Sequence, residues 1–388
     1  MGELVAVRLP GGPTFVEVVQ RIWDAGDAVL PLDPAAPDAH TRRILAALAP
    51  GAIIDTDGER RPLPDGLPVD PDDAVVIATS GTTGTPKGAV HTHAGITAAA
   101  RITAQSPSPE GRGVRWLACL PLAHVGGFSV ITRALLNGAD LEVHRQPDAT
   151  RIDDAARRGA THVSLVPTLL RRIRASLWEQ ILLGGSAIPA DRPANTVATY
   201  GMTETFGGVV YEGRPLDGVE LRIADADIDG VGGIELRSPT LLRAYRHGTV
   251  ALTPDGWYVT GDLGVLGSDG CLSVAGRGDD LIITGGVKVW PTAVEEALRS
   301  HPTVADVAVI GRPDPEWGQR VVAVVVPADR RTPPELAPLR DHVRERLPVA
   351  AAPKELLLTD VLPRTGLGKI ERHALHPGSG QAGGIDDS

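Results

Sequence analysis

Cysteine is scarce in this sequence, and long apolar runs are missing from it. The 388 residues include two cysteines, Cys119 and Cys271, which lie far apart and outside any CxxC spacing. Such a chain has no disulfide framework and no cysteine-based metal motif. No stretch approaches the roughly 20 apolar residues that cross a membrane as a helix, and the opening MGELVAVRLPGG lacks the apolar core of a secretory signal. We therefore expect a cytoplasmic protein without a membrane span.

Basic residues are also in the minority, with 38 Lys and Arg against 48 Asp and Glu, a net charge of -10. This balance argues against a general partner of nucleic acid or anionic membranes, but it leaves room for a local basic pocket that binds a phosphorylated ligand. The eleven histidines are scattered. His91 and His93 would share one face of an extended segment, and we interpret them as polar surface residues rather than metal ligands.

Helical and strand-like segments alternate through the first half of the chain. VEVVQRIWDAG, TRRILAALAP and VITRALLNG have helical patterns, whereas AIIDT, AVVIATS, ADLEVH and THVSLVP are short apolar strands. This order predicts an α/β fold with mostly parallel sheets. We expect a large N-terminal domain over residues 1–278 with a small β subdomain at about 219–278. A mobile, compact α+β C-terminal domain over 279–376 and a disordered tail over 377–388 would follow.

The run ATSGTTGTPKG, residues 78–88, follows one of these strands and combines glycines, hydroxyls and a lysine. It is not a Walker motif, because Gly88 stands where that motif needs Ser or Thr after the lysine. Successive N–H groups of a glycine-rich loop can still form an anion-binding nest, and Lys87 adds a positive charge. Composition alone also allows a flexible linker, but the preceding strand favours a phosphate-binding loop.

Five motifs in order resemble those of the adenylate-forming superfamily, which includes acyl-CoA synthetases, peptide-synthetase adenylation domains and luciferases. They are SGTTGTPKG, YGMTET at 200–205, TGDLG at 260–264, GRGDDLIITGG at 276–286 and PRTGLGKI at 363–370. The resemblance covers the chain to about residue 376. It implies a two-step reaction: a carboxylate attacks the α-phosphate of ATP to give an acyl adenylate, and a thiol then displaces AMP. It also implies ATP, Mg²⁺ and coenzyme A as cofactors and co-substrate.

The same resemblance assigns roles to residues of the nucleotide half. Glu204 would hold Mg²⁺, Thr203 would contact the α-phosphate, and Asp262 would accept the ribose hydroxyls beside Arg277. Tyr200 would stack on adenine, with Gly185 and Gly201 also in the nucleotide site. The β- and γ-phosphates would lie on the loop residues Thr79, Ser80, Gly81, Thr82, Thr83, Gly84 and Lys87.

The remaining roles concern the acid and the thiol. Lys369 would bridge the α-phosphate and the substrate carboxylate, and Asp279 would be the hinge about which the C-terminal domain rotates between the two half-reactions. Gly285 and Gly286 would line the pantetheine tunnel, and His124 would be an aromatic gate over the acid.

Two further segments bear on the identity of the acid. PLAHVGG and TGGVKVWPTAVEEAL resemble the branch of the family that activates an aromatic acid with a second carboxylate, although no single basic residue stands out as its partner. A short- or medium-chain or aryl acyl-CoA ligase and an enzyme that loads a carrier protein remain alternatives. A small-molecule acid, ATP and CoA are the expected partners, with a homodimer possible and nucleic acid excluded.

Replacing Lys369 by alanine is expected to slow acyl-adenylate formation by roughly 10²–10³, because the transition state loses a preorganised cation. The reaction of a supplied acyl adenylate with CoA should keep its rate. ATP–pyrophosphate exchange measures the first step, and thioester formation from synthetic adenylate measures the second. An equal loss in both steps would contradict the assignment.

Overall fold

The computed structural model describes residues 2–79, 85–104, 113–246, 248, 250, 252–364 and 370–375. The chain divides into two compact units. The first contains residues 1–222, 235–259 and 268–272, and the second contains 223–234, 260–267 and 273–388. The predicted hinge lies within the second unit, and its movement stays a prediction. The tail expected at 377–388 lies outside the described residues.

The described residues form eight α-helices and twenty-four strands. The helices are α1 Pro13–Asp24, α2 Asp38–Leu48, α3 His93–Thr103, α4 Val125–Asn137, α5 Ala149–Arg157, α6 Pro167–Leu170, α7 Pro291–Arg299 and α8 Leu336–Arg344. The strands are β1 Gly2–Val7, β2 Ala28–Pro31, β3 Ala52–Ile54, β4 Arg60–Pro62, β5 Pro68–Val69, β6 Asp73–Thr79, β7 Lys87–Thr92, β8 Arg115–Ala118, β9 Asp140–Val143, β10 His162–Leu165, β11 Gln180–Leu183, β12 Thr196–Met202, β13 Gly207–Tyr211, β14 Arg214–Pro215, β15 Glu220–Ala224, β16 Gly232–Arg237, β17 Ala244–Tyr245, β18 Tyr258–Leu266, β19 Leu272–Arg277, β20 Ile282–Thr284, β21 Val287–Val289, β22 Val304–Asp314, β23 Gly318–Pro327 and β24 Glu355–Leu358.

Two sheets organise the first unit. One has the strand order β17-β7-β6-β2-β1-β3-β4, with β5 paired to β1, and the other has the order β14-β13-β12-β11-β10-β8-β9. The pairs within β3-β1-β2-β6 and β12-β11-β10-β8-β9 are parallel. The predicted α/β class with mostly parallel sheets is therefore confirmed.

Helix α4 lies in the core of the first unit. It begins after His124 and ends at Gly138, whose φ of 64° is the left-handed conformation that glycine adopts readily at a helix end. Its residues from Gly127 to Ala134 are all buried, and Phe128 packs edge-to-face with Phe15 and with Phe206. A helix buried on all sides is expected to be mostly apolar, and the buried part of α4 is so except for Ser129, Thr132 and Arg133.

Strand β7 is one of the elements that the sequence analysis did not predict. It follows the glycine-rich loop and pairs antiparallel with β6, so that Thr79 lies opposite Lys87. The loop was expected at the end of a strand, and the structure closes it as a hairpin. Gly88 is required here, because a Cβ atom would lie 2.6 Å from a Val76 methyl and 2.8 Å from a Leu48 methyl.

The second unit contains a sheet with the order β21-β20-β23-β22, to which β24 adds beside β23. Strands β22 and β23 pair antiparallel over ten positions, and α7 and α8 contribute Val294, Leu298, Leu339 and Val343 to its core. This is the predicted α+β arrangement. The boundary between the two units runs through strands β15, β16, β18 and β19. Among the described residues, no helix is long and apolar enough to cross a membrane.

Candidate active site

In the first unit, the predicted adenine and magnesium motif forms a strand, a tight turn and a second strand. Tyr200 and Gly201 lie on β12, which pairs antiparallel with β13. Between the strands, residues Thr203–Thr205 form one turn of 3-10 helix. The Thr205 hydroxyl donates to the Gly207 carbonyl over 2.7 Å and accepts from the Met202 amide over 2.9 Å. The turn that carries Thr203 and Glu204 is therefore closed by its own side chain.

Close backbone packing beside this turn explains its glycines. A Cβ atom on Gly201 would lie 2.0 Å from the Gly207 carbonyl oxygen, which no side chain can accommodate. Gly207 has a φ of 109°, and Phe206 before it has a φ of 53°. A bulky residue in the left-handed region is uncommon and marks a conformation that the surroundings enforce. Close packing and unusual dihedral angles therefore fix the backbone at Gly201, Phe206 and Gly207.

Two side chains from other strands hold the turn. Tyr245 on β17 donates its hydroxyl to Glu204 Oε1 over 2.7 Å. His91 on β7 donates from Nε2 to the Thr203 carbonyl over 2.9 Å. Burial lowers the pKa of His91 to about 4, so its ring is neutral at physiological pH. The described parts of the chain contain no cluster of three or more His, Cys, Asp or Glu that could hold a metal.

The phosphate loop is described at its two ends. The Thr79 hydroxyl donates to the Lys87 carbonyl over 3.3 Å, and Lys87 is exposed with its ammonium 5.5 Å from the Tyr245 ring centroid. The other predicted phosphate ligands, Ser80, Gly81, Thr82, Thr83 and Gly84, lie outside the described residues. Lys87 is therefore the predicted phosphate ligand that the structure links to the Glu204 turn, because Tyr245 contacts both Lys87 and Glu204.

Two further predicted residues of the first unit lie near the same strands. Gly185 follows β11 with a φ of 82° and a Val166 methyl 3.5 Å from its Cβ position, and β11 pairs parallel with β12. His124 precedes α4 with an extended backbone. Burial lowers the pKa of its imidazole, with Asp33 opposing and His40 adding to that shift. His124 is half-buried, and its role as a gate stays a prediction.

In the second unit, Asp262 lies on β18 and is mostly buried. Arg277, the last residue of β19, places Nε 3.0 Å from Asp262 Oδ1 and donates from Nη1 to the Thr260 carbonyl over 2.9 Å. The Thr260 hydroxyl accepts from the Asp262 amide over 3.0 Å. The structure therefore brings together the two residues that were predicted to contact the ribose.

The predicted hinge and tunnel residues follow in the same unit. Asp279 is exposed in a short 3-10 turn, Gly278–Asp280. Gly285 and Gly286 form the two-residue turn between β20 and β21 with φ of 57° and 79°, as a type I′ hairpin requires. A Cβ atom on Gly285 would lie 2.7 Å from the Trp317 ring. Their roles toward the thiol stay predictions.

Lys369 lies outside the described residues, but the chain on either side of its loop is described. Arg364 and Ile370 form an antiparallel bridge, and the Glu371 amide donates to the Pro363 carbonyl over 2.9 Å. Arg372 donates to both oxygens of the buried Glu295 carboxylate over 2.7 and 2.9 Å. The base of the loop is therefore fixed to α7.

The sequence analysis missed several of these contacts. His91 was interpreted as a surface histidine, and that is wrong: it is fully buried. Tyr245 was not singled out. The signal that the sequence offered for His91 was its place in the mostly apolar run GAVHT, in which Gly88 to His91 are all buried. The sequence around Tyr245 gives no sign of its contact with Glu204, because the two residues are 41 positions apart in the chain.

Comparison with known proteins defines the class. Residues 56–246 match the family model of the AMP-binding enzymes, and residues 293–369 match that of the AMP-binding enzyme C-terminal domain. The chain belongs to the AMP-binding enzyme family.

Within this family, the chain is 40% identical to a "Probable 2-succinylbenzoate--CoA ligase" of Mycobacterium tuberculosis, covering 95% of this chain and 97% of that one. A 2-succinylbenzoate–CoA ligase of Lactococcus lactis is 34% identical over 81% of this chain and 74% of its own length. The solved structure of o-succinylbenzoate CoA synthetase from Bacillus subtilis in complex with the acyl-adenylate intermediate is 26% identical, with a TM-score of 0.85 over 96% of this chain and 88% of that one. The same synthetase solved with ATP and a magnesium ion has a TM-score of 0.81.

Replacing Gly201 by alanine is expected to cost about 1–3 kcal/mol of unfolding free energy, as overpacking does, and to remove most acyl-adenylate formation by displacing the turn. Thermal unfolding and ATP–pyrophosphate exchange measure the two effects. Gly113→Ala is the matched control, because its Cβ atom would meet nothing within 4 Å. Normal exchange in Gly201→Ala would mean that the turn does not depend on this close approach.

Proposed function

We propose that this chain is an AMP-forming carboxylate–CoA ligase and that its acid is 2-succinylbenzoate. The observation that carries the reaction type is the closed Thr203–Thr205 turn, which holds one carboxylate beside the exit of a glycine-rich loop. The acid is supported by the relatives named above. It is also supported by sequence segments such as PLAHVGG and YGMTETFGGVV, which resemble those of the o-succinylbenzoate–CoA ligase of menaquinone synthesis.

The donor set fits magnesium. Mg²⁺ keeps several waters and binds proteins through one or two carboxylates together with substrate phosphates, so the single carboxylate of Glu204 would be sufficient. When bound, the ion would neutralise phosphate charge. The rest of the first step falls to the chain itself: Lys87 offers a cation at the loop, Thr203 lies beside Glu204 for the α-phosphate, and Asp262 with Arg277 offers a carboxylate to the ribose. Lys369 would offset the repulsion between the two reacting anions.

A buried arginine supports an acid with a second carboxylate. Arg133 on α4 is 5% exposed, and its Nε donates to the Thr103 hydroxyl over 2.8 Å. The guanidinium carbon lies 4.6 Å from the Trp116 ring centroid. Within the described residues, Nη1 is buried without a hydrogen-bond partner and Arg133 forms no ion pair. Burial lowers the pKa of Arg133, because it disfavours the charged guanidinium. A nearby anion would stabilise that charged form.

Arg133 belongs to the same helix as the predicted acid pocket. It lies one turn after Ser129, whose hydroxyl oxygen is 3.6 Å from the position of a Cβ atom on Gly207. Helix α4 therefore packs against the strand that follows the Glu204 turn. Charge-assisted hydrogen bonds are about twice as strong as neutral ones. We infer that Arg133 binds the distal carboxylate of the acid.

The first test is a panel of acids in an AMP-release assay with ATP, Mg²⁺ and CoA. 2-Succinylbenzoate is expected to have a higher kcat/KM than benzoate or hexanoate, and its distal methyl ester a markedly lower one, because the ester loses the charged group. If hexanoate is the better substrate, or the ester reacts like the acid, the short- or medium-chain alternative replaces this proposal. Acid-dependent exchange without CoA turnover would favour loading of a carrier protein.

The second test is Arg133→Met. Loss of a hydrogen bond to a charged group costs about 1.5–3 kcal/mol, which is roughly a 10–100-fold rise in KM for 2-succinylbenzoate. KM for ATP should not change, and the variant should no longer distinguish the acid from its distal methyl ester. Arg133→Lys should recover part of the discrimination. If Arg133→Met slows the acid and the ester by equal factors, Arg133 supports the fold and does not bind the acid.

A further inference from the structure

Tyr245 connects two parts of the site that are distant in sequence. Its hydroxyl donates to Glu204 Oε1 over 2.7 Å, and the ammonium of Lys87 lies 5.5 Å from its ring centroid. An ammonium within about 6 Å of an aromatic ring is attracted to the ring face. One side chain therefore contacts both the carboxylate predicted to hold Mg²⁺ and the lysine that ends the phosphate loop.

The strand that carries Tyr245 is held firmly. Strand β17 pairs antiparallel with β7, with Tyr245 opposite Ala89. On one side of it, Arg243 donates from Nε and Nη2 to the two oxygens of the buried Asp73 carboxylate, each over 2.9 Å. On the other side, Arg246 donates to backbone carbonyl oxygens of Leu48, Ala49, Leu67 and Pro68. Such bidentate and multiple contacts fix geometry as well as adding energy.

The backbone of the Glu204 turn is held by β7 and by the segment that leads into β17. The Leu242 amide, three residues before Tyr245, donates to the Glu204 carbonyl over 2.8 Å. His91 on β7 donates to the Thr203 carbonyl. With the backbone fixed in this way, the remaining freedom of Glu204 is in its side chain, whose carboxylate accepts the hydrogen bond from Tyr245.

We propose that Tyr245 is a positioning residue that fixes the Glu204 carboxylate relative to Lys87 for binding of the magnesium–ATP complex. A carboxylate has about four acceptor sites, so the bond at Oε1 orients the group without saturating it. A freely rotating glutamate would have to lose side-chain entropy when the metal binds, and a preoriented one has already lost it. This inference rests on the proposed function, in which Glu204 is the metal ligand.

The test is Tyr245→Phe, which removes the hydroxyl and keeps the ring. A lost hydrogen bond to a charged group is expected to raise the half-saturating free Mg²⁺ for acid-dependent ATP–pyrophosphate exchange by roughly 10-fold or more. Calorimetric ATP affinity should stay within about 2-fold of wild type in EDTA, whereas the gain in affinity on adding Mg²⁺ should shrink, because the hydroxyl acts only through the metal ligand. Thioester formation from a supplied acyl adenylate should be unaffected.

Two variants make the result specific. Tyr211→Phe, the same substitution on β13, should leave the magnesium dependence at the wild-type value. Adding Tyr245→Phe to Glu204→Gln should shift the magnesium dependence no further than Glu204→Gln alone, since a positioning residue acts through its partner.

A wild-type magnesium dependence in Tyr245→Phe, with a clear shift in Glu204→Gln, would overturn the positioning role and leave the proposed function intact. Equal losses in metal-free ATP binding and in the thioester step would also overturn it, because they indicate a general structural role. Absence of acid-dependent exchange in the wild-type enzyme would instead refute the proposed function.

Discussion

The contact between strand β7 and the turn at Thr203–Thr205 is the constraint on which the site of the first unit depends. His91 is fully buried, and its Nε2 donates a hydrogen bond to the Thr203 carbonyl. Separating the strand from the turn would leave the buried imidazole without this partner, at the full desolvation cost of a polar group. The strand and the turn are therefore coupled. Because β7 begins at Lys87, the same coupling sets the position of Lys87 relative to Glu204.

Strain in this region is offset by aromatic packing. Phe206 adopts a left-handed φ of 53°, which is costly for a bulky residue. Its ring is 2% exposed and packs against His91, with centroids 4.9 Å apart, and against Phe128 of α4. Burial of a large ring contributes about 1.5–3 kcal/mol, which is comparable with the cost of one strained residue. The turn therefore keeps a conformation that its local sequence would not choose.

The sequence predicted most of the helices and strands because their signal is local. Helical periodicity of apolar residues is enough to identify α1, and a short apolar run is enough to identify β6. The motif at residues 200–205 marks the Glu204 turn. The partners of that turn were not predictable in this way. Tyr245 reaches Glu204 through antiparallel pairing of the two-residue strand β17, and Arg133 is surrounded by residues from α3 and β8. Such contacts depend on sheet order and helix packing, which periodicity does not encode.

Catalysis and the choice of the acid depend on different physical properties of the site. The reaction requires exact placement of groups that any acid would meet, and the chain provides it with close backbone contacts and short hydrogen bonds around Glu204. Choice of the acid requires a difference in energy between ligands. A guanidinium in an apolar layer provides such a difference, because an apolar acid leaves the charge desolvated and unpaired, whereas a second carboxylate pairs with it. If Arg133 binds the distal carboxylate as proposed, the same fold would keep its adenylation chemistry while one buried residue on α4 selects the acid.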